Sequence, residues 1–169
     1  SFAGLIIPNV FGPFSKPFHN SVVSTFSYQL INNLKPNIIE DKSVNLIYIN
    51  SLIDKFIDVI DNKPNNPSLE IKHTKSVKVS EILKTLNIFK NTYYINQNIP
   101  RLSSTFLLNL FNTFRSYIDH KNFFPCEYKS NIDERGNFVE LIRSDIGGQS
   151  SFSTTNKNIT RGNHFHTRK

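Results

Sequence analysis

Apolar and polar positions follow two rhythms along this chain, and the change between them falls near residue 122. Phe2 to Ile7 is an unbroken apolar run closed by Pro8, the pattern expected of a buried parallel strand. A loop punctuated by Pro and Gly follows, from Asn9 to His19. Val22, Val23, Phe26, Leu30 and Ile31 then recur at helical spacing. They predict an amphipathic helix through Leu34, capped by Asn20 or Ser21 and stopped by Pro36. Val44 to Ile49 reads as a second strand, and Leu52 to Ile60 as a helix capped by Ser51. Residues 63–67 read as a turn and Val77 to Val79 as a short extended piece. Ser80 is the expected cap of a helix from Glu81 to Lys90, whose leading carboxylate suits the helix dipole. Phe106, Leu107, Leu110, Phe111 and Phe114 mark one more helix, from Thr105 to Ile118.

Beyond Phe124-Pro125 the segments shorten, alternate and are separated by Gly turns, the texture of an antiparallel barrel. The expected division is therefore 1–122, of α/β class, and 123–169, all-β. Residues two apart on a strand share a face. In Arg161-Gly162-Asn163-His164-Phe165-His166, the imidazoles of His164 and His166 are thus expected on one side, with Phe165 on the other. Two adjacent nitrogen donors are what a first-row metal site needs.

Composition narrows the partners. Ser1 opens inside an apolar run and no Met occurs, so the sequence reads as a piece of a longer protein. One cysteine, Cys126, leaves no internal disulfide and fits a reducing compartment. No apolar run approaches the roughly 18 residues of a membrane span, and no signal peptide is legible. A cytoplasmic protein without a membrane partner is expected. The net charge of +7 favours an anionic partner, whether nucleic acid, membrane surface or nucleotide phosphate. The lysines are scattered rather than clustered, which points away from nucleic acid.

Asn9-Val10-Phe11-Gly12 resembles the motif that ends a strand in the substrate-binding half of extended short-chain dehydrogenase/reductases. Taken with Pro8, Lys16-Pro17, Asn20-Ser21-Val22, Asp133-Glu134-Arg135-Gly136 and the His-x-His segment, the order of motifs resembles the CapF-type family of capsular-polysaccharide assembly proteins. The resemblance implies an α/β substrate-binding half of a reductase domain, followed by the opening strands of a cupin, an incomplete jelly-roll. It also implies a UDP-linked 4-keto-6-deoxy-N-acetylhexosamine as substrate. The cupin would epimerise the carbon beside the ketone, and the reductase would reduce the ketone with hydride from NADP(H). A proton alpha to a carbonyl is acidic enough for a base of near-neutral pKa, so the pairing is chemically coherent. A homodimer and a divalent metal, zinc first, are implied for the complete protein.

By the same resemblance Pro8 lies beside the cofactor, and Asn9, Asn20, Ser21 and Arg161 touch substrate. His164 is the catalytic base, or His164 and His166 are metal ligands; a metal-bound imidazole cannot also take a proton. Plainer readings stand beside these. Asn9 can bond its own turn, Ser21 can be only a helix cap, and the two histidines can be a surface pair. His19, His73 and His120 look isolated and solvated. Two departures matter. Val44-Asn45-Leu46-Ile47-Tyr48-Ile49-Asn50-Ser51 lacks the superfamily's phosphate-binding Arg and its closing acidic pair, with Arg101 the only substitute in view. Tyr117-Ile118-Asp119-His120-Lys121 spells the reductase's Tyr-x-x-x-Lys but falls after the substrate half, so it is not read as the catalytic pair. With no Gly-rich dinucleotide loop either, the segment by itself is expected to be inactive as a reductase. The rivals are a basic module stacking single-stranded nucleic acid on its aromatics, and a cupin-only sugar epimerase.

Overall fold

Two units emerge from the computed structural model, which describes residues 4–62, 68–160 and 162. The first runs to Asn96 and resumes over Leu102–Asp119; the second takes Gln97–Arg101 and the chain from His120 onward. The architecture is mixed α/β with several sheets. Residues 97–101, grouped by the sequence with the first part, go with the second.

In the first unit β1 (Gly4–Ile6) pairs in parallel with β4 (Ser68–Glu70). The strand is parallel as expected but not buried, since Ile6 is 61% exposed. Pro8 has no amide hydrogen to donate, so the ladder breaks there. The chain restarts as β2 (Asn9–Phe11), a strand where the sequence suggested loop, and β2 lies parallel to β3 (Ser43–Tyr48). The other edge of β3 takes β5 (Lys75–Lys78) antiparallel. Leu46, Ile47 and Tyr48 are buried on β3 and Phe11 on β2. Helix α2 (Ile49–Asn62) follows β3 directly, so Ser51 sits in its first turn rather than at its cap.

Helices α1 (Val22–Ile31), α3 (Val79–Phe89) and α4 (Thr105–Arg115) build the main core. Phe89 meets Phe111 edge-on and Phe114 at a tilt, with centroids 5.1 and 6.1 Å apart, beside the buried Val23, Ile82, Leu86 and Leu110. Ser21 and Ser104 cap α1 and α4 by accepting amide hydrogens from Ser24 and Leu107. The cap of α3 arrives from far upstream: the Asp41 carboxylate accepts from the Ser80 amide at 2.9 Å and the Ser80 hydroxyl at 2.8 Å. Those bonds, the backbone one foremost, hold the Asp41 carboxyl below its usual pKa. Instead of stopping at Lys90, the helix widens into a π-helical turn over Lys90–Ile95. Helix α4 ends at Arg115, three residues short of expectation, and Ser116 to Ile118 continue in tighter turns.

The second unit holds a short helix α5 (His120–Phe123) and an antiparallel meander of β7 (Ser130–Asp133), β8 (Gly136–Ser144) and β9 (Gln149–Thr155), with β8 central. The two-residue strand β6 (Asn98–Ile99) runs parallel to the end of β8. Asp133 folds back on the Arg135 amide at 2.9 Å, and Gly136 (φ 132) completes a tight two-residue hairpin. A second turn uses Gly147 and Gly148, both at positive φ. Leu141 is the extra residue of a bulge. Pairing places Ile132, Val139, Ile142 and Phe152 on one face, with Ile132, Ile142 and Phe152 half-exposed or more. The Asp133–Glu140 stretch is thus a tight turn followed by a strand.

Candidate functional site

A cleft of about 480 Å³ opens in the first unit where β2, the loop after it and the start of α1 meet. Its lining includes Pro8, Asn9, Phe14, Ser15, His19, Asn20, Ser21 and Ile49. Four residues singled out in the sequence, Pro8, Asn9, Asn20 and Ser21, are therefore brought to one place. Asn9 opens β2 rather than ending a strand, and its amide donates to the Asn45 carbonyl at 3.4 Å across the sheet. Among the described residues that line it there is no carboxylate, and the imidazole of His19 is the sole titratable side chain. His19 escaped the sequence reading as isolated and solvated; its position between Lys16-Pro17 and Asn20-Ser21 was the signal available.

The loop is held in an unusual shape. Phe14, Phe18 and Asn20 all have left-handed φ, at 63°, 59° and 57°. Asn tolerates this region, whereas each Phe is costly there, by roughly 1–2 kcal/mol. The neighbouring elements supply the compensation. The Phe14 amide donates to the Ser116 hydroxyl at 3.1 Å, and the Phe18 amide to the Thr25 hydroxyl at 3.0 Å. Tyr117 donates its hydroxyl to the Ser15 carbonyl at 2.6 Å. Tyr117 thus serves the loop.

Proton counting fixes the polarity of Ser21. Its oxygen accepts from the Ser24 amide at 3.4 Å and from the Ser24 hydroxyl at 3.0 Å. Both lone pairs are occupied, so the Ser21 hydroxyl is left as a donor. Ser24 also shares a short hydrogen bond with the Ser15 hydroxyl. Gly12 belongs to the same wall: a Cβ there would lie 2.5 Å from Ile49 Cγ2, so the strand and α2 approach this closely only over glycine.

The second unit has a cavity of about 410 Å³ bordered by Asn131, Asp133, Arg135, Phe138 and Gly162. Arg135 is engaged there by Asp133, which raises its pKa further, and Glu140 is paired with Arg143. Arg101, the candidate phosphate clamp, is an exposed residue of this unit. Arg161, His164 and His166 lie outside the described residues, as does the expected turn at 63–67. Among the described residues no cluster of His, Cys, Asp and Glu could hold a metal. No helix of the described residues is long and apolar enough to cross a membrane.

Comparison with known proteins gives a consistent picture. The chain is 32% identical over 165 residues to UDP-2-acetamido-2,6-beta-L-arabino-hexul-4-ose reductase of Pseudomonas aeruginosa, across 96% of this chain and 44% of that protein. It matches the crystal structure of the capsular polysaccharide assembling protein CapF from Staphylococcus aureus with a TM-score of 0.79 and 29% identity, covering 96% of this chain and 44% of that one. A CapF structure with the inhibitor 3-isopropenyl-tropolone matches equally, with a TM-score of 0.79 and 47% of its chain covered. Residues 131–169 match the family described as polysaccharide biosynthesis C-terminal domain. The chain spans about 44% of the length of the curated relative it matches. The resemblance to the CapF type, drawn first from motifs, holds in sequence and in fold.

Proposed function

We propose that this CapF-like chain is a segment of a nucleotide-sugar enzyme of capsular or surface polysaccharide biosynthesis, and that the cleft of its first unit receives the UDP-linked sugar. One observation carries the reading: Pro8, Asn9, Asn20 and Ser21 line a single cleft that has no carboxylate among the described residues lining it. An anionic diphosphate meets no like charge there, and Ser21 offers it a proton rather than a lone pair. Asn9 and Asn20 add amides, and Pro8 is assigned to the nicotinamide. NADP(H), when bound in the longer protein, supplies the hydride that reduces the sugar ketone. The second unit, read as the start of a cupin jelly-roll, is assigned the epimerisation beside that ketone. There Arg161 would contact substrate, with His164 as base or His164 and His166 as two donors to a zinc-like ion. The longer protein is expected to act as a homodimer.

Calorimetric titration of the purified chain with UDP tests the proposal. Saturable binding is expected, weakened about fivefold or more in Ser21→Ala by loss of one charge-assisted hydrogen bond. No heat with UDP, together with steeply salt-dependent binding to a single-stranded oligonucleotide, would reverse the assignment.

A further inference from the structure

Tyr117 heads a Tyr-x-x-x-Lys pattern that the proposed activity does not use, yet its hydroxyl reaches back 102 positions to the cleft loop. We infer that Tyr117 is a positioning residue of the cleft, acting through Ser15 on both its rim and its hydrogen-bonding wall. The inference rests on the cleft being the ligand site proposed above.

Two links join the end of α4 to the loop. Tyr117 donates to the Ser15 carbonyl, and the adjacent Ser116 hydroxyl accepts the Phe14 amide while donating to the Thr113 carbonyl at 2.7 Å. Between them they hold Phe14 in the left-handed conformation that a bulky residue otherwise avoids, the residue being 84% exposed. Ser15 passes the restraint on. Its hydroxyl bonds Ser24, whose side chain is fully buried and whose proton goes to Ser21. Tyr117, Ser15, Ser24 and Ser21 are therefore linked in series from the end of α4 to the first turn of α1, with Ser15 held by its carbonyl on one side and its hydroxyl on the other. With Tyr117 removed, Ser15 loses its anchor, Phe14 is freed to leave its strained conformation, and the donor direction of Ser21 is no longer enforced.

Tyr117→Phe keeps the ring and deletes the hydroxyl; Ser116→Ala cuts the parallel link. In the full chain, Tyr117→Phe is expected to raise the Kd for UDP about fivefold, with Tm falling by only about 2–4 °C. Amide hydrogen exchange across residues 12–20 should quicken in both variants. A purely structural tyrosine would lower Tm and leave the UDP affinity of the folded molecules unchanged, and that result overturns the inference. If the unmodified chain takes up no UDP, the reading of the cleft as a nucleotide-sugar site falls. The exchange measurement then decides the clamp by itself, and unaltered exchange in both variants refutes it.

Discussion

Gly12 shows how much one missing methyl group can decide. The distance to Ile49 leaves no space for a Cβ, and both atoms belong to the packed junction of β2 and α2. Gly12→Ala should cost about 1–3 kcal/mol in urea unfolding, the usual penalty of overpacking. Truncating the obstacle in Gly12→Ala/Ile49→Ala should recover part of that loss relative to the sum of the single changes. Residues whose role is local were legible beforehand. Ser21 was named as a possible cap because a cap serves amides two or three positions on. His19 was not, since its place in the cleft wall depends on how the loop closes. Asp41 was invisible for a like reason: it serves Ser80 from 39 positions upstream, and no local pattern announces such a bond.

That bond sets the behaviour of a whole element. Helix α3 starts without a side-chain cap of its own at Lys78, and the Asp41 carboxylate supplies the missing acceptor. Because its pKa is lower folded than unfolded, Asp41 stabilises the fold above the ordinary carboxylate pKa of 3.8. The contribution is lost as pH falls through the depressed value. Asp41→Ala should therefore lower Tm at neutral pH, and the gap from the unmodified chain should close in the most acid melts followed by circular dichroism. A gap independent of pH would mean the side chain acts by packing alone. Among the elements themselves, α1 and α4 were readable because four or more apolar residues repeat at helical spacing. Strands β2, β4 and β6 have two or three residues each, too few to display a period of two, and their existence depends on partners distant in sequence.

At the scale of the molecule the two units differ in how they exclude water. The first has a closed aromatic core in which Phe114 is fully buried, so Phe114→Ala should cost about 3–5 kcal/mol. The second is a thin sheet whose strands β7 and β9 are exposed along their whole length. Amides of α1, α3 and α4 should accordingly exchange with solvent far more slowly than those of β7 and β9, which a peptide-resolved exchange map would test. The change of pattern along the sequence put a division near residue 122, and in the structure the first unit ends at Asp119. That pattern could not foresee that Gln97–Arg101 would join the second unit, because β6 owes its strand character to β8. The exposed Phe14 has an optical consequence, since the chain contains no tryptophan. A tryptophan put in its place would be the molecule's single long-wavelength emitter, seated at the rim of the cleft, and its colour would follow whatever enters.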